Sequence, residues 1–109
     1  MKIFIDSADV EEIRKAARLG VVKGVTTNPS LAAKVGVGRL EVYKETVQEI
    51  AKIIDGPISV EVDSTDVDGM IKEGKDIATW ISNPWVKIPS TEEGFEAIAA
   101  LVSEGIKIN

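Results

Sequence analysis

Short apolar runs alternate with longer amphipathic segments along all 109 residues of the chain. Each run is about five residues long, as strands are, and each amphipathic segment has about 10 to 16 residues, the length of a helix. In chain order the apolar runs are KIFID, VVKGVTT, ISVEV, WVKIP and the final IKIN. Such alternation is typical of βαβ units, and the nearly continuous apolar character predicts parallel strands covered on both faces. The sequence therefore predicts an α/β fold.

The starts of the later helices are predicted from residues that can cap them. Ser64 or Thr65 stands at the start of the helical segment that follows ISVEV, and either hydroxyl can accept from a free backbone N–H. Ser90 and Glu93 have the spacing of a capping box before the last helix. No glycine-rich phosphate loop follows the first strand, which disfavours a dinucleotide-binding fold.

The composition excludes several kinds of chemistry. The chain has no cysteine and no histidine. This removes disulfides, thiolate zinc sites, a cysteine nucleophile and the usual histidine base or metal ligand. Any acid–base chemistry must therefore use carboxylates, lysine, tyrosine or water. The net charge of -5 argues against a nucleic-acid partner and against binding to an anionic membrane, but not against a small anionic substrate.

The first residues and the longest apolar stretches bear on cellular location. The opening MKIFIDSADVEE does not resemble a signal peptide, because Asp6 interrupts its apolar run at once. No apolar stretch approaches the roughly 20 residues that a transmembrane helix needs. We therefore expect a cytoplasmic protein.

Polar residues stand at or near the end of four consecutive predicted strands. They are Asp6, the segment 26–28, Glu61 and Lys87. A single buried polar residue on a strand is more often a satisfied structural group than a catalyst. Four at matching depth favour a shared site, because a (β/α)8 barrel carries its catalytic groups at the carboxyl ends of its strands.

Lys87 has the most unusual surroundings of this set. It stands between Val86 and Ile88 in an apolar strand, where burying an ammonium group normally costs stability. One explanation is that its side chain points outward from an edge strand. The other is that a desolvated amine becomes neutral, and a neutral amine is a nucleophile. The other polar residues also have structural explanations: Asp6 as a helix-capping or turn carboxylate, Asn28 as part of a turn, and Glu61 as the partner of a nearby lysine.

Four segments closely resemble the N-terminal half of the small single-domain transaldolases, a group that includes the fructose 6-phosphate aldolases. The segments are KIFIDSA, GVTTNPSL, GPISVEV and VKIPSTEEG, and the resemblance extends along essentially the whole chain in the same order. It implies half of a (β/α)8 TIM barrel, with four βα units and the start of a fifth parallel strand. Residues 1–109 would then be the N-terminal half-barrel of a transaldolase-type (β/α)8 domain.

The resemblance also implies a reaction. It is a class I Schiff-base transfer of a dihydroxyacetone unit between phosphosugars in the pentose phosphate pathway, with no metal and no cofactor. Lys87 matches the lysine that attacks the ketose carbonyl. Asp6 matches the carboxylate that takes the proton of the sugar hydroxyl as the carbon–carbon bond breaks. Glu61 matches the acid–base residue that works through a water.

Three further residues match positions that line the substrate pocket: Thr26, Asn28 and Ser59. The aldolases of this group have a glutamine where this chain has Glu61, so the resemblance favours a transaldolase over a fructose 6-phosphate aldolase-like lyase.

The chain is short for this fold, since a complete barrel takes about 200 to 250 residues. The later strands, which in the family grip the substrate phosphate, have no counterpart in the sequence. A half-barrel exposes strand edges and an apolar inner face. We therefore expect phosphorylated ketose and aldose substrates, and either a homo-oligomer or a missing C-terminal half-barrel as partner. The alternative is a self-assembling half-barrel module without turnover.

Overall fold

Four strands form one parallel sheet in the order β1-β2-β3-β4 in the computed structural model, which describes residues 1–109. Helices connect all successive strands. The elements are β1 Ile3–Asp6, α1 Val10–Ala17, β2 Val22–Thr26, α2 Pro29–Lys34, α3 Leu40–Ile53, β3 Ile58–Glu61, α4 Val67–Ile77, β4 Pro84–Lys87 and α5 Glu92–Ser103. The predicted α/β fold of four βα units is confirmed. Its strand order is that of half a TIM barrel, and the sheet is not closed.

The last residues begin a fifth parallel strand, as predicted. Val86 of β4 pairs with Ile108 in a parallel bridge. The Val86 N–H donates to the Lys107 carbonyl at 2.9 Å, and the Asn109 N–H donates to the Val86 carbonyl at 2.9 Å. The free edge of β4 is therefore covered by the end of the chain.

The two faces of the sheet differ in burial. Val25, Val60 and Val86 have no exposed surface and belong to the core between the sheet and the helices. On the opposite, inner face, Phe4 remains 42% exposed. The inner face is therefore open at β1, as expected for a half-barrel, and the coverage of both faces that the apolar strands predicted is absent there.

Two helix starts differ from the sequence expectation. The cap of α4 is Asp66, whose carboxylate accepts from the Gly69 N–H at 2.8 Å, and the Ser64 hydroxyl instead donates to Glu73. The cap of α5 is Thr91, not the Ser90 capping box. Several capping residues are adjacent in both segments, and the path of the chain out of the strand selects among them. None of the helices is both long and apolar enough to cross a membrane.

The first turn of α5 lies directly against the end of the β4 segment. The Gly94 N–H donates to the Thr91 hydroxyl at 3.0 Å. A Cβ atom at Gly94 would overlap the carbonyl oxygen of Pro89, which follows β4. The absence of a side chain at this position lets α5 begin immediately behind the strand that carries Lys87.

We expect Gly94→Ala to lower the free energy of unfolding by about 2 kcal/mol or more, because the added methyl group must displace backbone atoms. In an ordinary helix the same change raises stability by about 1 kcal/mol. Urea denaturation measures the difference. Gly38→Ala is the matched control, since its nearest non-neighbouring atom would lie 3.8 Å from the added carbon. A Gly94→Ala chain as stable as the parent would contradict this account.

Candidate active site

Lys87 and Glu61 lie opposite one another where β3 and β4 end. Lys87 Nζ is 3.9 Å from Glu61 Oε2, and the two side chains are 31% and 22% exposed. The lysine near Glu61 that the sequence analysis considered as its partner is therefore Lys87 itself. An amine and a carboxylate at this distance can exchange a proton through one intervening water.

Asp6 and Thr26 form a second pair, where β1 and β2 end. The Thr26 hydroxyl donates to Asp6 Oδ1 at 2.7 Å. Asp6 does not cap α1, because the carboxylate of Asp9 accepts from the N–H groups of Glu11 and Glu12. The structure therefore gives the Asp6 carboxylate an orienting hydrogen bond from the neighbouring strand.

Ser59 lies between these two pairs. It is the register partner of Thr26 on one side and of Trp85 on the other, and it is only 2% exposed. Its Oγ accepts a hydrogen bond of 2.8 Å from the side-chain amide of Asn109. Sequence reasoning missed Asn109, because nothing local to the end of the chain indicates a contact with β3.

Asn28 occupies a different position from the other five predicted residues. Its side-chain oxygen caps α2 by accepting from the Leu31 N–H at 2.9 Å. Asn28 thus has a structural role as a helix cap rather than as part of a turn, and its side-chain nitrogen is the group that can donate a hydrogen bond to a ligand. The structure forms no hydrogen bond between Asn28 and the Asp6–Thr26 or Lys87–Glu61 pairs.

A buried chain of hydroxyl groups lies behind the ends of β2 and β3. Thr27 Oγ1 donates to the Ser59 carbonyl at 2.8 Å, and Tyr43 Oη of α3 lies 2.6 Å from Thr27 Oγ1. A carbonyl oxygen only accepts, so the proton of Thr27 is engaged and Tyr43 must donate to Thr27. Sequence reasoning missed both residues. The sequence did contain one indication: Tyr43 lies in an amphipathic helix, and a buried tyrosine hydroxyl needs a hydrogen-bond partner.

Comparisons with known proteins identify the family of the chain. The sequence model of the transaldolase/fructose-6-phosphate aldolase family matches residues 3–109. The chain belongs to this family. Over its whole length it is 51% identical to a probable transaldolase of Roseiflexus castenholzii, 54% to one of Clostridium perfringens and 57% to one of Myxococcus xanthus. It covers 49%, 49% and 47% of these proteins respectively, so the chain spans about half the length of the curated relatives it matches.

Burial raises the pKa of the Tyr43 phenol above its usual 10.0. Tyr43 is the only tyrosine, so the near-ultraviolet absorbance of tyrosinate reports on this residue alone. We expect a titration midpoint above pH 10.0 in the folded chain, and a return toward 10.0 in concentrated denaturant.

The same shift predicts how stability depends on pH. Because the folded pKa of Tyr43 exceeds the unfolded one, its contribution is complete below pH 10.0 and is lost as the pH rises through the folded pKa. Tyr43→Phe is the control. In urea denaturation, its free energy of unfolding should lack the part of the decrease at alkaline pH that comes from Tyr43. A folded midpoint at or below 10.0 would contradict the described burial.

Proposed function

We propose that this chain carries the Schiff-base half of a transaldolase active site, with Lys87 as the nucleophile. The observation that supports this best is the placement of Lys87 Nζ 3.9 Å from Glu61 Oε2, in a chain that belongs to the transaldolase/fructose-6-phosphate aldolase family. An amine nucleophile beside a proton donor is what imine formation from a ketone needs. The enzyme is accordingly a transferase of the class I type.

The first step joins Lys87 to the ketose. The neutral amine forms a bond from Nζ to the carbonyl carbon, the carbonyl oxygen takes up two protons and departs as water, and a protonated imine (the iminium) that keeps one N–H remains. Glu61 supplies a proton to the departing oxygen through a bound water. The 31% exposure of the Lys87 side chain leaves room for the substrate carbon to approach.

The second step breaks the carbon–carbon bond. Asp6 takes the proton from the sugar hydroxyl, an aldehyde departs, and the bonding electron pair moves into the iminium to leave an enamine. The hydrogen bond from Thr26 orients the Asp6 carboxylate for this role. The enamine then adds to the aldehyde of the acceptor sugar, and water releases the product from Lys87. Thr26, Asn28 and Ser59 are the proposed binding groups for the substrate hydroxyls, and the steps use no metal and no cofactor.

The proposed substrates are phosphorylated ketoses and aldoses of the pentose phosphate pathway, in the cytoplasm. Residues 1–109 would be the N-terminal half of the (β/α)8 domain, and the phosphate-binding groups would come from the other half of the barrel. The carboxylate at Glu61 favours transaldolase over a fructose 6-phosphate aldolase-like lyase, because those aldolases resemble this chain except for a glutamine at that position.

Trapping with borohydride tests the nucleophile. We expect incubation with dihydroxyacetone and borohydride to add one reduced three-carbon unit to the intact chain, detected by mass spectrometry. The adduct should be absent in Lys87→Met and should persist in Lys107→Met. Lys107 is the matched control, since its Nζ lies over the Trp85 ring, 5.9 Å from the centroid, next to the same strand. An adduct that survives Lys87→Met, or no adduct in the parent chain, would contradict the proposal.

A second function, self-assembly through the inner face, is supported by a separate observation. Ile3 and Phe4 of β1 are 39% and 42% exposed, and β1 is an edge strand with no partner on its outer side. Unpaired edges and exposed apolar faces favour association. A second copy, or the complementary half of a longer protein, would bury both.

We expect the mass measured by sedimentation to rise with concentration above the 11.7 kDa of one chain. Phe4→Lys should suppress this association by placing a charge on the inner face. Phe95→Lys is the matched control, because Phe95 is 62% exposed on α5. A single-chain mass at every concentration would exclude assembly between copies.

A further inference from the structure

The sheet has a short pairing at its centre. β1 pairs with β2 from Ile3 to Asp6, and β3 pairs with β4 from Ile58 to Glu61. The register between β2 and β3 contains only Val25 opposite Ile58 and Thr26 opposite Ser59. We call this central β2–β3 pairing the seam. It joins two longer strand pairs, each of which is internally better connected.

The seam divides the candidate active site. Asp6 and Thr26, joined by a 2.7 Å hydrogen bond, lie on one side of it. Glu61 and Lys87, with charged atoms 3.9 Å apart, lie on the other. Contacts within each pair do not determine how the pairs sit relative to one another. That alignment depends on what holds β2 against β3.

We propose that Tyr43 and Thr27 form a clamp across the seam, and that this clamp keeps the Asp6 side of the site aligned with the Lys87 side. Both are positioning residues in this proposal, because their hydroxyls are engaged with each other and with the Ser59 carbonyl. The consequence for the reaction rests on the function proposed above, whereas the clamp itself is a property of the fold.

The hydrogen bonds of Thr27 support the clamp. The Ser59 carbonyl of β3 accepts both the Thr27 N–H at 2.9 Å and the Thr27 hydroxyl at 2.8 Å. Tyr43 then donates to the Thr27 hydroxyl from α3, at 2.6 Å. Thr27 and Tyr43 are 0% and 7% exposed, so water cannot easily replace these bonds. Without the Tyr43 hydroxyl the buried Thr27 oxygen has no donor, and without the Thr27 hydroxyl the Tyr43 proton loses its acceptor.

The position of the Tyr43 hydroxyl is set by its ring. The ring packs edge-on against Trp80, which follows α4, with centroids 6.1 Å apart and planes at 85°. Since burial raises the pKa of Tyr43, the phenol keeps its proton and remains a donor at neutral pH. Tyr43→Phe retains the ring packing and removes the hydroxyl, which donates to Thr27 and also lies next to the Glu61 backbone.

A buried hydroxyl that serves only its own helix provides the control. Thr46 lies one turn after Tyr43 on α3, is 8% exposed, and donates to the Val42 carbonyl at 2.8 Å. Thr46→Val therefore removes a buried hydroxyl from the same helix without touching the seam. It separates loss of the clamp from a general loss of helix stability.

Amide hydrogen exchange measured by NMR on the 109-residue chain tests the clamp without requiring activity. We expect Tyr43→Phe and Thr27→Val each to speed exchange of the amide at position 27 by about 10-fold relative to Thr46→Val, the effect of losing one buried hydrogen bond. The Val62 amide, which donates to the Lys87 carbonyl at 3.2 Å across β3 and β4, should be unaffected. Thr27→Ser keeps the hydroxyl and should restore slow exchange. Equal exchange at position 27 in Tyr43→Phe and Thr46→Val would overturn the clamp.

A comparison of two reaction steps tests whether the clamp positions the two sides of the candidate active site. Imine formation uses Lys87 and Glu61 on one side of the seam, whereas bond cleavage also uses Asp6 on the other. Thr27→Val breaks the clamp while keeping the Tyr43 hydroxyl beside Glu61, so it should leave dihydroxyacetone trapping within about 2-fold and slow aldehyde release from fructose 6-phosphate by about 10-fold. Equal slowing of both steps would overturn the positioning role. A parent chain that forms no Lys87-dependent adduct would refute the proposed function instead, and exchange at position 27 would then decide the clamp alone.

Discussion

Burial of alternate strand residues against the helices is the constraint on which the rest of this structure depends. Val25, Val60 and Val86 have no exposed surface, so each strand is held with one set of side chains toward the core. Because side chains alternate along a strand, the other set must face the inner side of the sheet, and a slip of one residue would reverse the two. The apolar core thereby determines where Glu61 and Lys87 emerge.

The ion pair of Lys87 and Glu61 contributes little to holding the fold together. Lys87 and Glu61 keep 31% and 22% of their surface exposed, and ion pairs of that kind contribute about 0 to 1 kcal/mol. Their arrangement is a product of the sheet rather than a cause of it. This explains how a chain with an uncovered inner face can still bring an amine and a carboxylate together: the packing that places them lies on the other face.

The sequence predicted most of the fold and part of the site, for different reasons. Strand and helix positions follow from local hydrophobic periodicity, so four βα units and the start of a fifth strand could be predicted. The sequence indicated only some nearby lysine as a partner for Glu61, and the register of β3 and β4 makes that partner Lys87. Asp66 and Thr91 were missed as caps because each lies beside other residues that could serve equally well by sequence. Asn28 was predicted to line the substrate pocket. Its hydrogen bond to the Leu31 N–H, which caps α2, could be seen only in the structure.

By itself, the sequence determined the order of the elements, the apolar faces of the strands and the family to which the chain belongs, because these depend on local pattern and on motifs such as VTTNPS and VKIPS. Only the tertiary structure decided that Asn109 binds Ser59 and that Tyr43 reaches Thr27 behind the site. Those contacts join residues far apart in the chain. Their geometry depends on how α3 packs and how the strands align, which no local pattern encodes.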